Sequence, residues 1–231
     1  MKKIISTLVV LALFTGSIFA LDLDVAFGGA YGFAARKTVN EDTDDTTKIK
    51  DNAFGVKAGV KLGLTNDLGI KINAGLVFPK DGTKVITTDK NSNSSEATLD
   101  YDKTSVFNCF LGPVYTVKST DTLKIDVGLG VDLGYNKYVN TTPETKVAGI
   151  VTVPATSIST SYLCYGFGAT VAVQCKLGKN MALQLGADAA YLWGNKVEVV
   201  TTAGSSSTTD SADYKATAFY FIPDLSLVYR F

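Results

Sequence analysis

Apolar residues occupy every second position over long stretches of this chain. The pattern is most regular from residue 123 to 136, where Leu, Ile, Val and Tyr alternate with Lys, Asp, Gly and Asn. A period of two predicts a β-strand with one apolar and one polar face. It predicts eight strands in all, at residues 21–33, 53–64, 68–78, 107–117, 123–136, 163–174, 181–193 and 216–231. Strands of about ten residues or more match the length that a tilted strand needs to cross a bilayer and exceed the usual five or six of soluble sheets.

The connections between these strands alternate between short and long. Three are tight turns, at 65–67, 118–122 and 178–180, and four are long polar loops, at 36–52, 79–103, 137–160 and 195–215. Transmembrane barrels of outer-membrane type have short periplasmic turns and longer extracellular loops. The sequence therefore predicts an all-β protein, an eight-stranded antiparallel up-and-down transmembrane β-barrel with its long loops outside.

The composition of the polar face indicates which face points inward. A soluble eight-stranded barrel of lipocalin type has the same period, but its apolar face points into the barrel. Here the polar face consists mainly of glycine and isolated charges, which suits a narrow lumen better than a solvent-exposed surface. A lone buried charge is costly, so we expect these charges to pair as an ionic network in the lumen; the alternative is an ion path or an acid/base site. The predicted network residues are Lys57, Lys61, Lys71, Lys124, Asp126, Asp132, Asp188 and Arg230.

Aromatic residues recur on the apolar face near the loop end of the strands. We predict that they form an aromatic girdle at the membrane boundary, as in transmembrane barrels. The girdle residues are Phe33, Phe54, Phe78, Phe107, Tyr135, Tyr165, Trp193 and Phe219. The last strand ends on Tyr229 and Phe231, also on the apolar face. This pattern resembles the terminal strand of bacterial outer-membrane barrels, in which the final aromatic residue belongs to the signal read by the barrel-assembly machinery.

The first twenty residues have the organisation of a secretory signal peptide. Lys2 and Lys3 precede an apolar run from Ile4 to Phe14, and small residues lead up to Ala20. The apolar run is too short to span a bilayer as a helix. We expect residues 1–20 to be a signal peptide and residues 21–231 to be the outer-membrane β-barrel; the alternative is a retained amphipathic helix.

The composition disfavours several classes of function. Without residues 1–20 the chain has 20 basic and 22 acidic residues, so no basic excess indicates a nucleic-acid partner. It contains no histidine, which removes the usual zinc ligand and the usual general base. Cys109, Cys164 and Cys175 have no paired spacing and are predicted to be buried free thiols. We predict no catalytic residue, no cofactor and no metal.

Two prolines interrupt the strand pattern. Pro113 lies in the fourth predicted strand and Pro223 in the eighth, yet a closed barrel has no edge at which a missing hydrogen-bond donor is harmless. We expect a bulge or a local break at each proline. The functional alternative is a lateral opening in the wall, of the kind associated with some small outer-membrane channels for apolar molecules.

Taken together, the signal peptide, the alternating strands, the loop asymmetry and the aromatic end resemble the small eight-stranded outer-membrane barrel families of OmpA-like, OmpX-like and OmpW-like type. The resemblance covers residues 21–231 and rests on pattern, so no family site is carried over. It implies location in the outer membrane, contact with outer-membrane lipids and the barrel-assembly machinery, and no periplasmic domain.

The function expected from this resemblance is not enzymatic. It is a structural or surface-interaction role, in which a filled lumen braces the wall and the long loops contact an extracellular ligand. The first alternative is a narrow OmpW-like channel for small or apolar molecules, and the second is an outer-membrane enzyme.

Overall fold

The computed structural model describes residues 22–40, 43–79, 83–89, 91–99, 103–120, 122–142, 145–147, 150–153, 155–203 and 206–231. The predicted signal peptide lies outside these ranges. The described residues form twelve β-strands: β1 (Leu23–Asn40), β2 (Thr46–Gly63), β3 (Leu68–Pro79), β4 (Thr83–Thr88), β5 (Ser94–Leu99), β6 (Lys103–Ser119), β7 (Leu123–Thr142), β8 (Thr145–Val147), β9 (Ile150–Val153), β10 (Thr156–Lys176), β11 (Met181–Ala203) and β12 (Ser206–Arg230). No helix in this part of the chain has the length and apolar character to cross a membrane.

Eight of the strands pair in a closed ring. The order is β1-β12-β11-β10-β7-β6-β3-β2, and β2 pairs back onto β1. Every pairing is antiparallel. Two backbone hydrogen bonds tie the start of β1 to both neighbours: Gly63 N donates to Asp22 O at 2.7 Å, and Phe231 N donates to Leu23 O at 3.0 Å. The ring leaves no unpaired sheet edge, which is the condition for spanning lipid with strands.

The strands run far beyond their predicted ends into the segments predicted as long polar loops. β1 and β2 stay paired as far as Val39 and Thr46, and β10 and β11 as far as Thr156 and Ala203. Residues 196–203 continue the alternation with Val and Thr, whose branched side chains favour strands. We call this side of the barrel the loop end and the side with the tight turns the turn end.

Two hairpins also lie within the predicted loops. The β4–β5 hairpin extends the sheet by pairing with β2, and β8 and β9 form a separate two-stranded sheet. The antiparallel all-β barrel predicted from the two-residue period is confirmed. The total of twelve strands exceeds the predicted eight because these hairpins form where we expected only irregular loop.

Each strand proline interrupts the ladder with one neighbour only. At Pro113 the β6–β7 pairing passes from Leu111↔Val131 directly to Val114↔Gly128, without a change of register. Just beside it, a Cβ atom added to Gly112 would lie 2.6 Å from the Cα atom of Gly130, so the two backbones are in close contact. Of the two predicted alternatives, a bulge or a local break, Pro113 therefore shows a local break. The register shift of β6 lies further along the strand, between Thr116 and Lys118.

Pro223 has the same effect on the β1–β12 ladder. The pairing passes from Ala30↔Asp224 to Phe33↔Phe221 in constant register. On its other side Pro223 remains in register with Ala187 of β11. The missing pairs follow from the absent N–H group of proline.

The apolar face points outward. Large apolar side chains are widely exposed around the ring, including Phe27 at 63%, Leu129 at 72% and Phe167 at 69%. A continuous apolar surface of this extent is unsuited to water and suits the lipid-facing band of a transmembrane barrel. The lipocalin-type alternative, with its apolar face inside, is wrong for this chain.

The lumen as the candidate functional site

The lumen near the turn end is filled by a cluster of ion pairs and hydrogen bonds. Lys61 Nζ lies 2.7 Å from Asp126 Oδ1 and donates to Thr116 Oγ1 at 3.0 Å. Thr116 Oγ1 in turn donates to Asp126 Oδ1 at 2.7 Å. All three residues are buried. They come from β2, β6 and β7, and each reaches the lumen because it falls on the polar phase of its strand.

Asp24 holds two cations at the same level. Lys124 Nζ lies 3.2 Å from Asp24 Oδ2, and Arg230 Nε lies 3.4 Å from Asp24 Oδ1. Arg230 Nη2 also donates to Gln174 Oε1 at 2.6 Å, and Gln174 Nε2 donates to Gln184 Oε1 at 3.2 Å. The chain of contacts links β7 to β1, β12, β10 and β11 across the lumen.

A second group of charges lies further from the turns. Lys57 Nζ contacts two carboxylates, Asp224 Oδ1 at 2.5 Å and Asp188 Oδ2 at 2.9 Å. Asn73 Nδ2 donates to both carboxylate oxygens of Asp188 at 3.1 Å. The side chains of Lys57, Asp188 and Asp224 are at most 4% exposed.

Small inward residues on β1 make the Lys57 contact possible. Lys57 on β2 reaches Asp224 on β12 across the intervening strand β1. The β1 residue in register with Lys57 is Gly28, and the next inward residue is Ala30, which is in register with Asp224. A Cβ atom at Gly28 would overlap with the carbonyl oxygen of Leu225. The glycine therefore lets the β12 backbone approach closely and keeps the route of the Lys57 side chain open.

Two of the predicted network residues have neutral partners. Lys71 Nζ lies 3.4 Å from Thr170 Oγ1, and Asp132 Oδ1 accepts a short hydrogen bond from Asn108 Nδ2. Both residues are buried. Among the ion pairs formed by described residues, neither Lys71 nor Asp132 takes part. Both residues therefore have hydrogen-bonding partners in place of the predicted opposite charges, because Thr170 and Asn108 lie within reach of them.

A third polar cluster lies at the loop end and was not predicted. Arg36 forms an ion pair with Asp51 on the neighbouring strand β2. Arg36 Nη1 donates to Asn136 Oδ1 at 3.0 Å, and Tyr220 Oη donates to the same oxygen at 2.8 Å. The guanidinium carbon of Arg36 lies 4.8 Å from the ring centroid of Tyr138. Arg36 and Asp51 fall within the predicted loop 36–52, but they lie in β1 and β2. The two-residue period continued from Gly32 through Ala34 places Arg36 on the lumen face.

Apolar side chains fill the lumen around this third cluster. They form one buried group drawn from all eight ring strands: Ala30, Ala53, Val77, Val106, Tyr138, Tyr162, Cys164, Ala190, Leu192, Val197, Ala216, Ala218, Tyr220 and Ile222. Leu192 and Cys164 are fully buried. The lumen thus has a charged part near the turns and a largely apolar part toward the loops.

The predicted girdle residues lie on the outer surface. Seven of the eight are exposed, at 39% to 69%, and Trp193 is half-buried against Tyr165 and Phe167. The rings of Tyr229 and Phe231 contact each other edge to face with centroids 4.8 Å apart. All three cysteines are free, but only Cys164 is buried; Cys175 is exposed on the outer surface, which corrects the prediction of three buried thiols.

The described part of the lumen is built of interlocking ion pairs and hydrogen bonds. Its carboxylates are held by lysine, arginine or amide groups, and no group of three potential metal ligands occurs among the described residues. The arrangement is that of a side-chain-filled barrel of eight ring strands.

No protein-family model and no curated protein matches this chain. Among solved structures, the outer membrane protein OprG from Pseudomonas aeruginosa is 10% identical, covers 91% of this chain and 95% of its own, and has a TM-score of 0.53. A major outer membrane protein from Thermus thermophilus is 15% identical over 88% of this chain and 99% of its own, with a TM-score of 0.49. Neisserial surface protein A is 10% identical over 89% and 99%, with a TM-score of 0.42. With its closed antiparallel ring and lipid-facing apolar belt, this chain has the fold of the small outer-membrane β-barrels of OmpA-like, OmpX-like and OmpW-like type, and that belt fits a location in the outer membrane.

Proposed function

We propose that this protein is a non-enzymatic outer-membrane barrel whose lumen is closed by its own side chains and whose loop end faces outward as a structural or surface-interaction element. The observation that carries the proposal is the burial of the charged lumen layers. Lys57, Lys61, Asp126 and Asp188 are each 2–6% exposed and are joined to partners on other strands. An ion crossing the barrel has to displace these contacts, so the lumen is a brace and not a water path.

The loop end is the part of the molecule that is free to meet a partner. Strands β11 and β12 extend together to Ala203 and Ser206, and the β4–β5 hairpin adds a further edge beside β2. Paired strands present a defined surface at a lower entropic cost than free loops do. In the orientation of transmembrane barrels this end is extracellular.

Single-channel recording tests the closed lumen. Residues 21–231 are refolded into planar bilayers beside a variant with Lys57→Glu and Lys124→Glu. We expect no discrete openings from the natural chain when insertion is verified by heat-modifiable migration. Openings whose ion preference changes with the charge reversal would refute the proposal.

Cysteine labelling tests the orientation. Ser207 lies at the loop end and Asn66 lies in a tight turn, and both residues are exposed. We expect a membrane-impermeant maleimide to label Ser207→Cys on intact cells and to leave Asn66→Cys unlabelled until the outer membrane is permeabilised. The reverse result would place the hairpins in the periplasm and remove the surface role.

One observation favours a second candidate, a lateral route for small apolar molecules. The β1–β12 ladder lacks two pairs at Pro223, and a void of about 10 Å³, roughly the room that one water molecule needs, lies there between lipid-facing Phe33 and lumen-facing Val77, Val106 and Ile222. Ala53, which also lines this cavity, offers a way to fill it. If the route operates, Ala53→Leu slows uptake of a small apolar fluorophore into proteoliposomes, whereas Ala58→Leu on the outer face of the same strand does not.

A further inference from the structure

Three lysines share the outer face of the barrel wall at the loop end. Lys37 lies on β1, and Lys48 and Lys50 lie on β2; all three are exposed. Lys37 is directly opposite Lys48, and Ala35 is opposite Lys50. Their neighbours Arg36 and Ile49 are opposite each other in the lumen phase, so the lysines belong to the outward phase. We call Lys37, Lys48 and Lys50 the lysine patch.

None of the three lysines has a carboxylate oxygen within 4.0 Å among the described residues. Like charges directly opposite each other on adjacent strands destabilise a sheet, and Lys50 is the diagonal neighbour of Lys37 on the same face. In the lumen, by contrast, Lys57, Lys61 and Lys124 each have a carboxylate partner. An anion from outside the chain would relieve the repulsion in the patch.

The patch lies above the level of the aromatic girdle. Lys37 follows Phe33 by four positions on β1, and Lys50 precedes Phe54 by four positions on β2, in the direction of the loop end. Four strand residues span about 13 Å, which at a tilt of about 40° is roughly 10 Å along the membrane normal. Because the girdle marks the edge of the hydrocarbon region, the lysines lie at the depth of lipid headgroups.

A surface hollow joins the patch to the apolar belt. Its volume is about 180 Å³. Its lining includes Ala35, Lys37, Lys48, Lys50, Tyr191 and Phe219. Tyr191 and Phe219 are outward-facing aromatic residues, directly opposite each other on β11 and β12. The hollow thus has cationic groups on the loop side and aromatic rings on the membrane side, which is the polarity of a lipid molecule standing in the outer leaflet.

We propose that the lysine patch binds the phosphate groups of a phosphorylated lipid of the outer leaflet, with the acyl part of that lipid packed on Tyr191 and Phe219. Lysine ammonium groups bind phosphate as point charges, and three of them within one hollow suit a headgroup that carries more than one phosphate. The assignment rests on the proposed function in one respect, the outward orientation of the loop end.

The test measures lipid binding by the purified barrel in neutral detergent micelles. Diphosphoryl lipid A is titrated in, and the bound lipid is counted by native mass spectrometry. The triple variant Lys37→Gln/Lys48→Gln/Lys50→Gln should bind about a hundredfold more weakly, because each lysine near an anionic lipid surface contributes about fivefold. Lys137→Gln is the matched control, since Lys137 is also an outward-facing lysine near the loop end but has Ser105 and Ser161 opposite it. We expect its affinity to equal that of the natural chain.

Several outcomes would overturn the proposal. Equal affinity of the natural chain and the triple variant would remove the patch as the site, and an equal loss in Lys137→Gln would indicate unspecific charge. Dephosphorylated lipid A binding as tightly as the diphosphoryl form would show that phosphate is not recognised. Inorganic pyrophosphate competing at the same concentration as lipid A would make this a site for free phosphates. Since micelles have no sidedness, these results do not depend on orientation, which the Ser207→Cys labelling decides separately.

Discussion

Replacing Lys57 by methionine should destabilise the barrel strongly. The ammonium group lies 2.5 Å from Asp224 and 2.9 Å from Asp188, with all three side chains almost completely buried. At an effective dielectric constant of about 20, each contact supplies an attraction of about 6 kcal/mol. The desolvation of the ions offsets much of that attraction, but desolvation of the two carboxylates remains when the cation is removed. Breaking a buried pair in this way typically costs about 3–5 kcal/mol, and we expect a loss of that size.

The assay is urea unfolding of the barrel refolded into lipid vesicles. Trp193, the single tryptophan of the chain, lies on the outer face and reports loss of the folded wall. Lys179→Met, in an exposed turn, is the matched control and should leave the midpoint unchanged. In the triple variant that adds Asp188→Asn and Asp224→Asn, most of the stability should return, because no uncompensated charge is then left in the lumen. A loss below about 1 kcal/mol for Lys57→Met would refute the ionic brace, because losing a buried cation typically costs several times more.

Three further predictions follow from other parts of the wall. Arg36→Met removes the cation of the loop-end cluster and should lower stability by about 3 kcal/mol in the same urea assay; an unchanged midpoint would mean that this cluster does not brace the barrel. Gly28→Ala forces a Cβ atom against a backbone oxygen, whereas Gly29→Ala meets nothing within 4 Å, so the first should cost about 1–3 kcal/mol and the second should not destabilise. In the β4–β5 turn, a hydrogen bond from the Asn93 side chain holds the pKa of Asp89 below its usual value. Its stabilising contribution is thus present above the unfolded-state pKa and lost as pH falls through the folded-state pKa, and a carboxyl NMR titration should show a higher Asp89 pKa in Asn93→Ala.

The two-residue period in the sequence predicted most of the fold. The alternation from Leu123 to Asn136 places each side chain on its observed face, because a strand inside lipid has one apolar and one polar side throughout its length. The same rule located Lys57, Lys61 and Asp126 in the lumen. The extent of the strands was not predictable in this way, since above the membrane the outer face meets water and the apolar alternation weakens.

The sequence also did not predict which polar residues contact each other in the lumen. The period assigns a face, but contact between strands that are not neighbours depends on the stagger of the barrel and on the size of the residues between them. Asp224 is the partner of Lys57 because Gly28 and Ala30 leave room above β1. Asp132 instead receives the amide of Asn108, and no feature of its local sequence separates it from Asp126, which binds Lys61.

The lumen network also explains how the wall tolerates Pro223. The β1–β12 ladder lacks two pairs beside this proline, and each missing pair removes backbone hydrogen bonding in a region without water. The very next residue, Asp224, is joined through Lys57 to β2, on the far side of β1. This ion pair therefore crosses the weakened β1–β12 seam and joins β12 to β2 over β1, and Asn73 and Asp188 extend the connection to β3 and β11. Side chains on both sides of the interrupted ladder therefore hold β12, β2, β3 and β11 together next to this proline.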